Sequence, residues 1–328
     1  MAESRITLSG LDGANPLAFL AALGVLRALD YRARLFHRAA PRLAWTDEGY
    51  WLPAIHGCPS MDAIVGELLE DKATWQADPA FLLAYDETGE TLLDPRTFSG
   101  KLSRDLKPRP AALRKFLDDL GARAASRKNF TEHVELRRSL DTAAAYGSEL
   151  VQDNNGNTKP TGFHFTAGQQ QFLKAIAELQ AGVTSAELLE ALAGPWLRES
   201  PLPNMSWDAT NARLYALRAK NPSGDKKTSV AGADWLAFSG LGAMPSFPHG
   251  TRLETTGIKG GWKDSSFTWA VWECPVNWRV ATTICRTTNV KQMTTMERRS
   301  RGISAVFASV ISRSDQGGYG SFSPAEVK

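Results

Sequence analysis

The sequence has few of the residues that bind metals or form disulfides. It contains only three cysteines in 328 residues, Cys58, Cys274 and Cys285, and they lie far apart in the chain. An odd number of widely spaced cysteines argues against a disulfide framework and does not provide the close Cys spacing of a zinc site. We therefore expect reduced, mostly buried thiols, no bound metal and a cytoplasmic location.

Catalytic motifs are also missing. The five histidines occur singly, and the sequence contains no Walker loop, no dinucleotide-binding glycine pattern and no nucleophile elbow. His164, in the stretch TGFHFTAG, is the one histidine worth testing as a catalytic group, although its phenylalanine neighbours favour a structural role in a sheet. The sequence therefore gives no support for catalysis and indicates no cofactor.

Long hydrophobic runs are absent as well. The longest, at 16–25, is too short to span a bilayer, and no signal-peptide pattern precedes it, so we expect no membrane partner. Asn15 followed by Pro16 is a favourable helix start, because asparagine caps free amides and proline suits the first helical position. The leucines that follow recur every three or four residues with alanines between them, which predicts a buried helix that ends in arginines.

Other local patterns predict an α+β fold with mixed sheets and helices. Ser60, Asn129 and the Thr184–Glu187 capping box mark helix starts, and Gly194-Pro195 marks a helix end. Alternating patterns predict consecutive strands in TRLETTGI, SSFTWAVWECP and NWRVATTIC, while 302–313 is compatible with either a helix or a strand. The polar stretch QDNNGNTKPTG at 152–162 predicts a loop. We divide the chain into a region 1–150 with a basic helical segment and a region 151–328 with this loop and a basic C-terminal segment.

Positive charge is concentrated in two segments, although the formal net charge is only +3. Residues 100–138 contain eleven lysines and arginines against five acidic residues, and residues 279–313 contain seven against one, so each segment has an excess of six. Charge concentrated in this way is typical of a surface that binds a phosphate backbone. Two solvated basic faces with no ligand are an equally simple explanation.

Three stretches resemble a known family. LDGANPLAFLAALGVLRALD, PTGFHFTAGQQQFL and SWDATNARLYALRAKNPSGDKKTSVAGADWLAFSGLGAMP are similar to the large subunits of type I CRISPR Cascade complexes, especially the compact large subunits of the G (formerly U) subtype. The resemblance implies a non-enzymatic subunit beside the 5′ handle of the crRNA. It further implies recognition of the protospacer-adjacent motif in target double-stranded DNA, help in opening that DNA, and contacts with the backbone and handle-binding Cascade subunits and with a helicase-nuclease. Large subunits often carry a C-terminal helical bundle, which we expect to be short or absent here.

With this resemblance, the polar and basic stretches become candidate binding residues. For DNA we select the loop residues Asn154, Asn155, Asn157 and Lys159 and, in VKQMTTMERRSRG, Lys291, Arg298, Arg299 and Arg301. For RNA or a neighbouring subunit we select Arg27, Arg32, Arg34, Lys101, Arg104, Lys107 and Arg109.

Two other functions stay open. The chain could be a CRISPR RNA-processing endoribonuclease in which His164 and Lys159 form the acid/base pair. Alternatively, it could be a structural subunit that binds only other proteins, in which case the basic segments are solvated faces.

Overall fold

The computed structural model describes residues 4–78, 80–81, 105–166, 170–211, 230–261, 263–287, 289–313 and 319–328. Within these residues the chain is an α+β protein, as predicted. The α-helices are α1 Pro16–Leu35, α2 Met61–Thr74, α3 Pro110–Ala125, α4 Phe130–Tyr146, α5 Phe172–Gly182, α6 Ser185–Ala193, α7 Ala231–Gly240, α8 Trp278–Cys285 and α9 Thr295–Ser300. The strands are β1 Arg5–Thr7, β2 Arg42–Asp47, β3 Trp51–His56, β4 Gly147–Gln152, β5 Thr158–Pro160, β6 Ser246–His249, β7 Arg252–Thr255, β8 Ile258–Lys259, β9 Ser265–Val271, β10 Ala305–Arg313, β11 Gly320–Phe322 and β12 Glu326–Val327.

The helix starts follow the capping residues of the sequence. The side chain of Asn15 accepts a hydrogen bond from the backbone N–H of Leu17, and Pro16 occupies the first helical position of α1. Ser60 and Asn129 cap α2 and α4 in the same way. Thr184 and Glu187 form the predicted capping box of α6. These four predictions are confirmed because each depends on residues that are close in sequence.

Two antiparallel sheets meet at the edge of β2. The larger sheet has the strand order β11-β10-β9-β8, with β12 also paired to β10, and the smaller has the order β1-β3-β2. Beyond β9 the chain pairs with β2: the N–H of Leu43 donates to the carbonyl of Val276 at 2.9 Å, and the N–H of Trp45 donates to that of Trp272 at 2.7 Å. The smaller sheet is thereby hydrogen-bonded to the segment that leads into α8.

The predicted buried helix, α1, packs against α7 at the centre of the protein. A Cβ atom added at Gly24 would lie 1.8 Å from the carbonyl oxygen of Leu236, and one added at Gly240 would lie 2.1 Å from that of Leu20. Only glycine allows the two backbones to approach so closely. The hydrophobic core that α1 and α7 share contains residues of both the region 1–150 and the region 151–328.

Two local predictions were wrong. The stretch 277–285 is the helix α8 and not a strand: the side chain of Asn277 accepts from the N–H of Val280 at 3.1 Å, and the buried residues Trp278, Ala281 and Ile284 recur every third position. The predicted loop 152–162 contains β5, which pairs with β4. The ambiguous stretch 302–313 contains the strand β10. None of the helices in the described residues is both apolar enough and long enough to cross a membrane.

Candidate nucleic-acid interface

Four exposed arginines lie on or directly after helices α8 and α9. Arg279 lies on α8 and Arg286 follows it directly, while Arg299 lies on α9 and Arg301 follows that helix directly. Within the described part of the chain, none of the four side chains forms an ion pair or a hydrogen bond with another residue. An exposed guanidinium without an internal partner keeps all its donors available for an external anion.

Arg298, by contrast, is used inside the protein. Its guanidinium donates to the backbone carbonyl of Lys328 and, at 3.1 Å, to that of Lys291. It therefore attaches the end of the described chain to α9. Its prediction as a DNA-binding residue alongside Arg299 and Arg301 is corrected on this ground, because its donors already hold two backbone carbonyls.

Lys291 has a more mixed environment. Its ammonium group donates to the hydroxyl of Ser266 at 3.3 Å. Partial burial lowers the pKa of Lys291, and the nearby positive charges of Lys328 and Lys259 lower it further. The carboxylate of Glu326, which pairs with Lys328, acts in the opposite direction, so the three lysines beside α9 are partly compensated within the protein.

The polar stretch predicted to contact DNA is an ordered hairpin turn between β4 and β5. The carboxylate of Asp153 accepts from the N–H groups of Asn155 at 2.8 Å and Asn157 at 3.0 Å, while Gly156 adopts a φ of +74°. This arrangement exposes Asn154 and Asn155, whose side chains have no hydrogen-bond partner among the described residues, and leaves Asn157 and Lys159 half-buried.

The hairpin contacts a residue that the sequence assigned to RNA or subunit binding. The guanidinium of Arg109 donates to the carbonyl of Asn155 at 3.1 Å. Thr158 donates two hydrogen bonds to the carbonyl of Pro108, one from its backbone N–H at 3.0 Å and one from its hydroxyl at 3.1 Å. Lys107 lies 4.0 Å from the Asp105 carboxylate. The candidates Lys101 and Arg104 lie outside the described residues.

The arginines at the end of α1 are paired within the chain. Arg32 donates to the carboxylate of Glu67 at 2.8 Å, and Arg38 donates to the same carboxylate at 2.6 Å. The pKa of Glu67 lies below its ordinary value, mainly because of the hydrogen bond from Arg38. Arg34 pairs with Asp30 at 2.6 Å. The side chain of Arg32 is only 12% exposed, so its role is to connect α1 with α2, which corrects its prediction as a binding residue.

Arg27 is a third correction, because it lies in the interior with 3% of its surface exposed. Its guanidinium donates to the carbonyls of Ser239 at 2.7 Å and Arg138 at 2.8 Å, and to the hydroxyl of Thr142 at 2.7 Å. Burial lowers the pKa of Arg27. A residue with these contacts cannot extend from the surface to a bound RNA.

Arg138 is a buried arginine that the sequence did not distinguish from its neighbours. It donates to the carboxylates of Asp78 at 2.9 Å and Asp71 at 3.2 Å, and its guanidinium lies 4.0 Å from the ring centre of Tyr31. Burial raises the pKa of Asp71, and the charge of Arg138 acts against that rise. No local signal identifies this network, since its partners come from distant parts of the sequence.

His164 is buried, with 3% of its surface exposed. Its Nε2 lies 2.6 Å from the Asp105 carboxylate and 3.1 Å from the Thr166 hydroxyl, and its ring stacks on Phe172. Burial alone would raise the pKa of Asp105, but the hydrogen bond and charge of His164 bring it below its ordinary value. The imidazole is therefore held by a carboxylate and a hydroxyl, in a turn segment and not in a strand.

No group of three or more potential metal ligands is present in the described ranges. Comparisons of the chain with protein-family models, with curated proteins and with solved structures find no match.

Arg279 and Arg286 belong to the basic C-terminal segment but are not among the site residues selected from the sequence. If the strand predicted for 277–285 had extended to Arg286, residues seven apart would lie on opposite faces. In α8 the same spacing is about two helical turns, which brings both arginines to one side of the helix. The signal that could have found them is Asn277, a good N-cap residue followed by apolar residues every three positions.

Proposed function

We propose that this chain is a non-catalytic large subunit of a type I CRISPR Cascade complex, which binds the 5′ region of the crRNA and recognises the protospacer-adjacent motif in target duplex DNA. The observation that carries the nucleic-acid part of this proposal is the set of exposed arginines on and beside α8 and α9 that form no hydrogen bond or ion pair within the described residues. Arginines that stabilise the fold hold partners inside it: Arg32, Arg34 and Arg138 form ion pairs, and Arg27 donates to backbone carbonyls.

The arginines and the hairpin suit different parts of a nucleic acid. Guanidinium groups bind phosphates by paired hydrogen bonds but do not distinguish bases through those contacts. The exposed amides of Asn154 and Asn155 can each donate and accept, which is the combination needed to recognise a base edge in a groove. We therefore assign phosphate contacts to α8 and α9, and recognition of the adjacent motif to the hairpin.

The resemblance to large subunits lies in a different part of the molecule. The stretches GANPLAFLAALGVLRALD and GADWLAFSGLGAM build most of α1, together with α7 and the turn after it, and these helices cross at Gly24 and Gly240. They are scaffold elements. The resemblance supports the proposed class of protein, whereas the exposed arginines and asparagines support the proposed contacts.

Co-purification tests the proposal most directly. The tagged chain would be co-expressed with the proteins encoded beside it and with a CRISPR array, and the RNA in the purified complex would be sequenced. We expect crRNA together with the backbone and handle-binding subunits. Recovery of the chain with protein partners but without RNA would instead favour the purely structural subunit, and recovery of the chain alone would contradict the proposal.

The absence of catalysis is tested on the same material. The chain alone and the crRNA-loaded complex would be incubated with repeat RNA and with target duplex in Mg²⁺ or Mn²⁺. We expect binding and strand opening without cleavage, and degradation only when a helicase-nuclease is added. Cleavage of repeat RNA that is lost on His164→Ala would contradict this and would favour the endoribonuclease.

A further inference from the structure

A cavity of about 350 Å³ opens between α1, α4 and α8. Its lining has an unusual charge balance, because it contains six arginines and only two carboxylates, an excess of four positive charges. The arginines are Arg27, Arg34, Arg137, Arg138, Arg279 and Arg286, and the carboxylates are those of Asp30 and Asp141. The volume falls at the lower end of the range of about 300–1,000 Å³ that is typical of small-molecule sites.

The floor of the cavity contains a buried guanidinium, that of Arg27, on which the carboxylates of Asp141, Asp78 and Asp71 act only at a distance. All three hydrogen-bond partners of the Arg27 guanidinium are neutral oxygens, two carbonyls and one hydroxyl. Its neighbour Arg138 is balanced by Asp71 and Asp78, but Arg27 has no carboxylate in hydrogen-bond contact among the described residues. A buried cation without an ion pair is costly, so an anion bound in the cavity would lower the free energy of this arrangement.

The sides of the cavity provide free donors. Both carboxylates in the lining are already engaged, Asp30 by Arg34 at 2.6 Å and Asp141 by Arg137 at 3.2 Å. Arg279 and Arg286 are exposed and form no hydrogen bond or ion pair in the described part of the chain, although the charge of Arg279 opposes the rise that burial causes in the pKa of Asp30. They are separated by about two turns of one helix, so both side chains can approach the same ligand.

A neighbouring cavity provides a comparison. It has a volume of about 560 Å³ and lies on the other side of Arg138. Its three cations are matched by three carboxylates: it is lined by Arg123, Lys128 and Arg138, and by Asp78, Glu132 and Glu135. The positive excess is therefore a property of the cavity beside α8 and not of this side of the protein in general.

We propose that the cavity between α1, α4 and α8 binds a phosphate group, with Arg279 and Arg286 as direct ligands and Arg27 supplying positive charge from the floor. Guanidinium groups match the geometry of phosphate oxygens, and a concave site suits the phosphate of a nucleotide or of a strand end better than the middle of a duplex. This site goes beyond the proposed Cascade function and does not depend on it.

Calorimetric titration of the full chain tests the site, with inorganic phosphate and adenosine monophosphate as probes of a free ligand. Short single-stranded DNA with and without a 5′-phosphate probes a strand end. The double variant Arg279→Gln/Arg286→Gln removes the direct ligands, and Arg114→Gln/Arg252→Gln is the matched control, with the same charge change at exposed arginines outside the cavity lining. Because all four arginines are exposed, neither variant should alter the thermal unfolding midpoint.

We expect the cavity variant to weaken phosphate binding by at least about tenfold and the control to weaken it by less than about twofold. Preference for adenosine monophosphate or inorganic phosphate would identify a free ligand, and binding that requires the 5′-phosphate of DNA would identify a strand end. No binding of any probe, or equal weakening by the two variants, would overturn the proposal. These outcomes are separate from crRNA co-purification, which tests the Cascade assignment alone.

Discussion

Arginines of the interior and of the surface serve opposite purposes in this protein. Arg27 and Arg138 are 3% and 6% exposed and use their guanidinium groups to connect helices that are distant in sequence. Arg299 and Arg301 are exposed and form no hydrogen bond or ion pair with another side chain in the described residues. A run of basic residues therefore indicates a binding surface only where its arginines and lysines are exposed, and buried members such as Arg27 and Arg138 do not contribute to that surface.

The two groups also differ in energetic terms. A buried ion pair is costly to assemble, and loss of one partner is costly because the other charge stays buried. An exposed guanidinium costs little to leave unpaired, because water solvates it. Replacement should therefore affect stability for the interior arginines and binding for the surface arginines.

The strongest test of this comparison uses two adjacent residues of α4. Arg138→Met should lower the free energy of unfolding by about 3–5 kcal/mol, because it leaves the carboxylates of Asp71 and Asp78 buried without their cation. Arg137→Met should change it by no more than about 0.5 kcal/mol, since Arg137 is 62% exposed and pairs with Asp141 along the helix surface. Urea denaturation measures both values, and similar losses for the two variants would contradict the division into interior and surface arginines.

A second test compares neighbouring arginines of α9 and the residues after it. Arg299→Ala with Arg301→Ala should weaken binding of the assembled complex to target DNA and flatten its dependence on salt by about one slope unit per lost phosphate contact. Arg298→Ala should leave the slope nearly unchanged, because its donors hold the carbonyls of Lys328 and Lys291. Fluorescence anisotropy at several KCl concentrations gives the slopes, and a slope of the Arg299→Ala/Arg301→Ala variant equal to that of the wild type would mean that these arginines do not contact phosphates.

Much of the fold could be predicted because its signals are local. Asn15, Ser60, Asn129 and Thr184 begin helices through hydrogen bonds to backbone groups two or three residues later. The helix α8 was missed because NWRVATTIC is short and rich in β-branched residues, which favour strands. Its N-cap and its packing against the core outweigh that preference.

The candidate site was much less predictable, because burial depends on contacts between distant segments. Arg27 is separated by 212 residues from Ser239, whose carbonyl it holds. Arg138 is separated by 60 residues from Asp78. No pattern near either arginine indicates such partners. From the sequence alone, Arg27 was therefore predicted to be a binding residue, as were Arg299 and Arg301. The cavity beside α8 could not be predicted for the same reason, because its lining residues come from α1, α4 and α8, which are distant in sequence.

A third test, with a smaller expected effect on affinity, asks whether the hairpin asparagines contact bases while the arginines contact phosphates. Asn154→Ala with Asn155→Ala should reduce binding to targets with the correct adjacent motif by about 1 kcal/mol, roughly fivefold, and affect targets without it less. The unfolding midpoint should not change, because these side chains have no partner in the described residues. Affinities for the two targets are measured side by side, and equal losses on both would remove the assignment of the hairpin to motif recognition.

The smallest expected effect concerns Glu67, which binds one mostly buried and one half-exposed arginine. Its pKa is lowered in the folded protein, mainly by the hydrogen bond from Arg38. The ion pairs therefore stabilise the fold fully above the unfolded-state pKa of about 4.3, and this contribution is lost as the pH falls through the lower folded-state value. Glu67→Gln should reduce the free energy of unfolding by about 0.5–1 kcal/mol at pH 7 and by much less at pH 3.

Urea denaturation at the two pH values measures the difference, with Glu70→Gln, which replaces an exposed glutamate of the same helix, as the control. Equal effects of Glu67→Gln at both pH values would show that the charge of Glu67 does not stabilise the connection between α1 and α2, and Arg32 would then hold its place by packing alone.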